Sequence, residues 1–576
     1  MNTPARCLLS FFLLFSAFSV SFSQYTVISG GVLINTDGSP PLDDAVIVIE
    51  GSRIAAVGLR GEIDIPDDAE IIDAAGRWII PGLIDSHIHF FQSGGLYTRP
   101  DVIDLRNHVP YEEEELQWIK DNLSDTFRRY LRSGITSVVD VGGPMWNFNV
   151  REKAETTRYA PTVAVAGPLI STYQPQALTT DDPPIIEVQS GGEARSLVQQ
   201  QAGHETDLIK IWYIVTRDRT VEDSLPIIEA TVDESRAHGL RVSVHATQLE
   251  TARAAVKAGA DILVHSVNDR EVDDEFIHLL RENDVIYIPT MMVFERYPAV
   301  FNQQISMTKA EFHYAHPDVL SSLFDLRILP EEDIPQAIRQ RMQSPQPVPD
   351  DRVEMRNLKR LHDAGVIVAA GTDAGNIGTL HGPALFYEFE LMERSGLSPM
   401  DILITATVNG AKVMGKETDL GTIEAGKRAD LVILNSNPLE AIANTADIRY
   451  VIKNGIVFTP EELLPETSVD IVKKQVNAYN ARDLDAFVSF YHPEAVVYRY
   501  PDEVLASGER EIRERYRMRF DGSPHLHAEI LNRITLGKYV IDKERITGIE
   551  GDDPLYAVVI YEVSDGLIRN SWIMAE

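Results

Sequence analysis

Two histidines separated by one residue stand in the segment IDSHIHF, at positions 87 and 89. If this segment is a β-strand, His87 and His89 project from one face, because side chains alternate along a strand. Two imidazoles on one face can bind a single metal ion. The pair alone is a weak signal, because two buried histidines satisfied within a protein core would have the same spacing. Its meaning depends on which residues share that end of the fold.

Four more residues of ligating type fall at the ends of other predicted strands. Lys210 lies in DLIKIW and Asp373 in VIVAAGTDAG, while His245 and His265 end VSVHA and ILVHS. Polar groups are expensive to bury without partners, so a whole set at one level of an apolar barrel favours metal coordination. The sequence therefore predicts a metal site built from all six residues.

Two cations about 3.5–4 Å apart can polarise a carbonyl and generate hydroxide, but they need a bridging anion. Lys210 in its apolar strand would supply that bridge if carbon dioxide carboxylated its amine. Taken alone, Lys210 is better explained by an ion pair with Asp207 or with a neighbouring acid. Asp373 could bind one ion, take the proton as water attacks, and pass it to the leaving nitrogen.

The elements that must position these residues repeat as helix, glycine and apolar strand. Eight runs of this kind read WIIPGLIDSHIH, ITSVVDV, TVAVAG, DLIKIW, RVSVHAT, ILVHS, VIYIPTMMV and VIVAAGTD. Apolar strands alternating with helices indicate a parallel sheet, and eight of them predict an α/β fold of the (β/α)8 or TIM-barrel type over residues 81–411. A doubly wound open sheet is the alternative, but no glycine-rich nucleotide loop follows any strand.

The segments on either side of the predicted barrel have a different sequence pattern. Short alternating strands at 24–80 and 412–462, the second with an Asn454-Gly455 turn, predict one small β-sandwich built from both ends. The long interval 294–352 is either a partly helical lid over the barrel mouth or a surface insertion. Residues 466–576 predict a self-contained α+β domain.

Composition excludes several classes of protein. The 576 residues carry 87 Asp+Glu against 53 Lys+Arg, a net charge of −34, which disfavours nucleic-acid binding. The single cysteine, Cys7, excludes disulfides and thiolate metal sites in the mature chain. It lies in an apolar run that, with the short basic start, predicts a signal peptide over 1–23, cleaved after Ser23. The protein is expected to be secreted or periplasmic, with no membrane span after cleavage.

Five separated motifs, PGLIDSHIH, DLIKIW, VSVHAT, ILVHS and GTDAG, occur in an order that resembles the amidohydrolase superfamily, in its imidazolonepropionase-like and prolidase-like branch. The resemblance runs from about Tyr25 to Phe458 and includes GTIEAGKRADLVIL and IKNGIVF. It implies two divalent ions, with Zn²⁺ expected, and an N6-carboxylated Lys210. The implied ligands are His87, His89 and Asp373 for the more buried ion, His245 and His265 for the other, and Lys210 as the bridge.

The resemblance carries less information about the substrate. VVDVGG has Val139 where relatives often have arginine, and WYIVTRDR replaces a glycine-rich turn. The candidates for substrate contact are His381, Arg217, Arg219 and Tyr213. His381 could equally support the site from behind or be a surface loop residue, and the two arginines could be solvated loop charges.

The C-terminal segments NAYNARDLDAFVSFYHPEAVVY and YEVSDGLIRNSWIM resemble the SnoaL-like, cone-shaped α+β fold. Members of that fold form a pocket that catalyses, binds a ligand or dimerises, and a homo-oligomer is expected here.

The sequence thus predicts an exported binuclear metal-dependent amidohydrolase that cleaves a C–N bond of a small amide, cyclic amide or dipeptide with metal-bound hydroxide. One alternative keeps the metal site for an ester, lactone or phosphotriester. The other is a non-catalytic barrel with a ligand-binding or dimerising C-terminal module.

Overall fold

The computed structural model describes residues 25–215, 219–345, 348–549 and 553–575. The predicted signal peptide, with Cys7, and the candidate Arg217 lie outside these ranges. Within them, no helix is long and apolar enough to cross a membrane.

The chain opens with five strands. They are β1 (Tyr25–Leu33), β2 (Leu42–Glu50), β3 (Arg53–Leu59), β4 (Glu70–Asp73) and β5 (Trp78–Pro81). The next strand begins at Leu83, so WIIPGLIDSHIH is not one barrel strand. Its first half pairs with a distant strand, where Ile80 faces Val432, and its second half enters the barrel.

The central region alternates strands and helices. The strands are β6 (Leu83–Ile88), β7 (Ile135–Asp140), β8 (Thr162–Val165), β9 (Leu169–Ser171), β10 (Ile185–Glu187), β11 (Leu208–Trp212), β12 (Arg241–His245), β13 (Ile262–Val264), β14 (Ile286–Ile288) and β15 (Ile367–Val368). The helices are α1 (Leu116–Arg132), α2 (Asn147–Glu155), α3 (Gly191–Gly203), α4 (Val221–Ala237), α5 (Leu249–Ala258), α6 (Asp274–Glu282), α7 (Val293–Phe301), α8 (Lys309–Tyr314), α9 (Pro317–Ser322), α10 (Gln336–Gln343), α11 (Val353–Asp363), α12 (Ala384–Arg394), α13 (Pro399–Thr405) and α14 (Val408–Met414).

Eight of these strands, β6–β8 and β11–β15, form the predicted α/β barrel. β6–β8 pair in parallel, as do β11–β15. Backbone hydrogen bonds close the ring at both joins: Asp207 N donates to Val165 O (3.0 Å), and Ser86 N donates to Ala370 O (2.9 Å). Every residue of β6 and β7 is buried, which explains their continuous apolar text.

After the barrel, three strands join the sheet formed by the N-terminal strands, and a short helix follows them. They are β16 (Leu431–Leu434), β17 (Ile448–Lys453), β18 (Ile456–Phe458) and α15 (Pro460–Leu463). Hydrogen bonding joins them with β1–β5 in one eight-stranded sheet of order β18-β17-β16-β5-β1-β2-β3, with β4 on β1. Both ends of the hydrolase region therefore build one sheet, while its division into a two-layered sandwich stays a prediction.

The last segment is α+β, as expected. Its elements are α16 (Ser468–Ala481), α17 (Leu484–Ser489), β19 (Tyr491–Arg499), β20 (Glu503–Ser507), α18 (Gly508–Asp521), β21 (His527–Leu536), β22 (Tyr539–Thr547), β23 (Leu555–Ser564) and β24 (Leu567–Ala575). The strands form a sheet of order β20-β19-β24-β23-β22-β21. The cone shape and the exact domain boundaries stay predictions.

The interval 294–352 packs between the barrel and this C-terminal segment. Leu320 and Phe324, in α9 and just after it, are 1% and 0% exposed and belong to an apolar cluster shared with Phe487. A surface insertion would leave such side chains in water, so that alternative is wrong. Closure over the barrel mouth stays a prediction.

Candidate metal centre

The two histidines of the H-x-H motif and Asp373 meet at one end of the barrel. His87 Nε2 and His89 Nε2 lie 3.3 and 3.2 Å from Asp373 Oδ1, and the two nitrogens are 3.4 Å apart. Bonds of 2.0–2.1 Å in a tetrahedron place two ligand atoms about 3.4 Å from each other. The three atoms are thus spaced as three corners of a tetrahedral metal site.

His265 and His245 extend this cluster across the barrel. Ligand atoms of His87, His265 and Asp373 all lie within 4.8 Å of one another. The rings of His245 and His265 are 4.4 Å apart, and those of His87 and His265 are 4.9 Å apart. The four imidazoles and the carboxylate therefore form one continuous group.

Lys210 is the middle residue of β11, not its end as predicted. Strand pairing places Trp212 beside His245, so Lys210 lies two residues deeper in the barrel than His245. It is 1% exposed, and its Nζ has no hydrogen-bond partner among the described residues. The expected alternative partner, Asp207, instead pairs with Arg151 Nη1 at 2.9 Å. The expected ion pair between Lys210 and Asp207 is therefore wrong.

Hydrogen bonds to the outer nitrogens orient two of the imidazoles. His89 Nδ1 donates to the Gly142 carbonyl oxygen (2.6 Å), which leaves the Nε2 lone pair facing Asp373. His265 Nδ1 hydrogen-bonds to Thr290 Oγ1 (2.7 Å). Such partners fix the tautomer and orientation of metal-binding histidines. The sequence reading missed Thr290, whose only signal was its position just after the seventh barrel strand.

Burial sets the charges of the cluster. It lowers the pKa of His87 and of His245 to about 3, and the nearby Lys210 acts in the same direction. These imidazoles are neutral at neutral pH, which is the form that binds metal. Burial would raise the pKa of Asp373, but His87 and the neighbouring imidazoles hold it well below its usual range.

Burial acts on Lys210 in the same direction as on the histidines. Burial lowers the pKa of its amine to about 7, although the attraction of Asp373 acts against this shift. Much of the amine is therefore uncharged at neutral pH, and an uncharged amine is the nucleophilic form.

The backbone at the strand ends is strained. His265, Thr290 and Asp373 all have left-handed φ values, of 73°, 42° and 60°. This conformation is unfavourable for residues other than glycine, and it collects at functional sites. Three such residues around one cluster mark the end of the barrel at which side chains are held for chemistry.

These residues fit a metal ion. Asp373 Oδ1 and Lys210 Nζ are buried polar atoms without hydrogen-bond partners in the described part of the chain. Four imidazoles and a carboxylate are also the nitrogen and oxygen donors that Zn²⁺ accepts. Residues 78–457, more than half of the chain, match the sequence profile of the Amidohydrolase family.

The chain belongs to the amidohydrolase family. Residues 472–571 match a second profile, that of the SnoaL-like domain. Similar proteins include an imidazolonepropionase of Geobacillus sp. (strain WCH70), 23% identical over 72% of this chain and 90% of the relative. An enamidase of Eubacterium barkeri is 24% identical over 71% of this chain and 85% of its own.

A solved structure has the same fold as this amidohydrolase. It is a crystal structure of a Xaa-Pro dipeptidase with bound methionine in the active site, 25% identical, with a TM-score of 0.57 over 76% of this chain and 100% of the other. With the family match, these relatives show that the chain is a metal-dependent hydrolase. The alternative of a non-catalytic barrel is therefore wrong.

The predicted substrate contacts of this amidohydrolase are engaged by its own chain. His381 is 8% exposed, accepts from Tyr130 OH at Nδ1 (2.7 Å) and donates from Nε2 to Gln92 O (2.7 Å). It is not a surface loop residue, as one alternative had it. Tyr213 donates its hydroxyl to Val221 O (3.0 Å).

Arg219 donates to Thr172 O (3.0 Å), and Arg217 lies outside the described residues. Contact of any of these four residues with substrate stays a prediction.

A polar group beside Asp373 was missed by the sequence reading. Arg99 and Tyr297 both hydrogen-bond to Asn376 Oδ1, three residues after Asp373, and Tyr297 does so at 2.7 Å. Arg99 is also held by Asp101 through two bonds of 2.8 and 2.7 Å. Asn376 directly follows the GTDAG motif and could have been found from the sequence. Arg99 and Tyr297 lie in a loop and in the insertion, where no motif marked them.

Proposed function

We propose that this amidohydrolase cleaves a C–N bond of a small amide, cyclic amide or dipeptide at a centre of two divalent metal ions, with Zn²⁺ as the expected metal. The observation that carries the proposal is the tetrahedral spacing of the His87, His89 and Asp373 ligand atoms beside an unpaired buried lysine. The names of the similar proteins, an imidazolonepropionase, an enamidase and a Xaa-Pro dipeptidase, favour this bond class over an ester, lactone or phosphotriester.

The residues divide between the two ions by position. The H-x-H pair with Asp373 would hold one ion, His245 and His265 would hold the other, and a carboxylated Lys210 would serve as the bridging ligand. When bound, such ions polarise a carbonyl oxygen and lower the pKa of water. The uncharged amine of Lys210 supports carboxylation, because attack on carbon dioxide requires its lone pair.

Asp373 is the proposed proton carrier. Its carboxylate is ionised and its Oδ1 has no hydrogen-bond donor among the described residues. It can therefore accept the proton of the attacking water and deliver it to the leaving nitrogen as the C–N bond breaks. Burial of the surrounding barrel end excludes bulk water, which would otherwise compete for that proton.

We also propose that the protein is exported, with 1–23 removed as a signal peptide, and that it assembles as a homo-oligomer. N-terminal sequencing of the protein recovered from outside the cytoplasm tests the first proposal. A start at Gln24 is expected, and a retained Met1 would contradict it.

Metal analysis with a hydrolysis panel tests the activity. Purified protein should contain about two metal ions per chain, and Lys210→Ala should lose most of the metal and lower kcat/KM at least about 100-fold. The panel contains Xaa-Pro dipeptides, N-acyl amino acids, cyclic amides, lactones and a phosphotriester. Faster turnover of lactones than of all amides would overturn the bond class.

Lys453→Met is the matched control. Lys453 is also buried, at 2% exposed, but it pairs with Asp430 Oδ2 at 2.6 Å, away from the metal cluster. Its loss should lower stability and leave the metal content unchanged. Wild-type protein that is folded and free of metal after growth in metal-rich medium would contradict the binuclear centre.

A further inference from the structure

The C-terminal segment encloses a cavity of about 770 Å³ between its sheet and the helices α16 and α18. This volume lies within the range of small-molecule sites, about 300–1,000 Å³. The inner end is buried, since Tyr491, Glu544 and Tyr561 are each 5% exposed. The outer end reaches the surface, since Tyr500 and Met518 are 54% and 62% exposed. We call this space the C-terminal cavity.

The inner end of the C-terminal cavity is polar. Tyr561 OH donates to Glu544 Oε1 (3.1 Å), and the hydroxyls of Tyr491 and Tyr516 hydrogen-bond to each other. Gln475, 3% exposed, also lines the cavity, and its Oε1 has no hydrogen-bond partner in the described part of the chain. A buried amide oxygen without a partner costs free energy, so it points to a donor that the protein does not supply.

Glu544 differs from the acid two residues before it. Asp542 is bound by the fork of Arg533, through Nε at 2.6 Å and Nη2 at 2.5 Å. Glu544 makes no ion pair with any described residue, and burial raises its pKa to about 7. The inner end can therefore be uncharged, and it then offers a hydroxyl rather than a second anion.

The outer end carries two cations that form no ion pair with any described residue. Arg515 and Arg519 lie one helical turn apart on α18, both half-buried and both lining the cavity. Two other arginines of the same helix are paired: Arg513 with Asp485, and Arg517 with Glu514 at 2.7 Å. Neither cavity arginine has an acidic partner within the described ranges, although the chain has 34 more acidic than basic residues. Two half-buried guanidinium groups facing one space favour an anionic ligand.

We propose that the C-terminal cavity binds a hydrophobic organic monoacid. Its carboxylate meets Arg515 and Arg519, and a polar group at its other end meets Glu544 and Tyr561. The apolar body packs against the aliphatic wall between these ends, which consists of Val476, Leu505, Ile546, Val559 and Ile573. A dianion is disfavoured, because its second charge would have to lie beside Glu544. This site is separate from the proposed metal centre and does not depend on the hydrolase proposal.

Calorimetric titration of the full chain with a naphthoate and with its neutral naphthamide tests this site. The naphthoate should bind saturably, and the double variant Arg515→Gln/Arg519→Gln should weaken it by about tenfold or more, as expected for loss of a charge-assisted contact. The naphthamide should bind the variant and the wild type equally. Arg517→Gln, on the same helix but outside the cavity lining, is the matched control and should change neither affinity.

A cavity-filling variant gives a second readout. Ala557 is 4% exposed and lines the cavity, so Ala557→Leu should remove binding of both probes. If Ala557→Leu does not fold, the titration of the Arg515→Gln/Arg519→Gln variant alone tests the proposal. Absence of saturable naphthoate binding up to about 1 mM would overturn the proposal. So would naphthoate binding that survives the double arginine variant but disappears in Lys210→Ala, because the acid would then lie in the barrel.

Discussion

At the scale of single residues, Lys210 is the informative side chain. A buried ammonium without a counter-ion would cost several kcal/mol, and the fold reduces this cost by lowering the pKa of the amine to about 7. The same shift makes the amine a nucleophile at neutral pH, where an ordinary lysine is almost fully charged. Burial therefore leaves Lys210 with an uncharged amine, which supports the proposed carboxylation.

Assembly of the centre should depend on pH through this amine. Metal-free protein given Zn²⁺ at a fixed concentration of dissolved carbon dioxide should regain activity about tenfold faster at about pH 8 than at about pH 6, because the uncharged fraction of an amine with a pKa near 7 rises by that factor. The initial rate of recovered turnover measures it. Isotope-labelled carbon dioxide should give a carbamate NMR signal that Lys210→Arg lacks. A recovery rate that is independent of pH would contradict this role.

At the scale of elements, the candidate site depends on the contact between two segments at one end of the barrel. The GTDAG loop packs against the end of β6, the first barrel strand. Asp373 N donates to His87 O (2.7 Å), and His89 N donates to Ala374 O (2.8 Å). Two glycines allow this close approach: a Cβ on Gly375 would lie 2.5 Å from His89 O, and one on Gly371 would lie 2.8 Å from His87 Cβ. The loop and the H-x-H strand thus form one unit.

Gly371→Ala should therefore damage the centre without replacing any ligand, because the new methyl would press on His87. The added methyl would also lie 2.6 Å from Ile288 Cγ2, so we expect a loss of about 1–3 kcal/mol in the free energy of unfolding, with reduced metal content. Urea denaturation and metal analysis measure the two effects. Gly203→Ala, where nothing lies within 4 Å of the new Cβ, is the control and should be nearly neutral. Equal stability of the two variants would show that the loop can move away.

At the scale of the whole molecule, the insertion connects the catalytic barrel to the C-terminal segment. On one side Tyr297 reaches Asn376 beside the metal cluster. On the other, Arg327 donates to Asn480 O (2.8 Å), and Asn477 Nδ2 donates to Pro317 O (2.8 Å). The apolar cluster of the C-terminal segment thus continues into the insertion, while the prediction that this segment is self-contained stays a prediction.

Arg327→Met should loosen this connection. Arg327 also donates to Leu526 O (3.3 Å), so its removal leaves buried carbonyl oxygens unpaired and should cost about 1.5–3 kcal/mol. We expect scanning calorimetry to show the C-terminal segment melting at a lower temperature than the barrel. Arg339→Met is the control, since among the described residues Arg339 pairs only with the exposed Glu331, at 3.3 Å. A single unshifted transition in both variants would contradict a structural connection through Arg327.

The sequence by itself determined the residue types and their order. Histidine, aspartate and lysine at the ends of apolar runs predicted a metallo-barrel, because strand periodicity and burial cost are local properties of the chain. The return of the distant strands to the N-terminal sheet followed from their alternating pattern and the Asn454-Gly455 turn, which the structure has between β17 and β18.

Only the tertiary structure decided the rest. The separations of 3.2–3.4 Å among His87, His89 and Asp373 join residues almost 300 positions apart, and such distances depend on how the ring of strands closes. The lysine two residues deeper than expected, the insertion as a connector, and the two unpaired arginines of the C-terminal cavity all depend on packing between segments. Local periodicity contains no information about that packing.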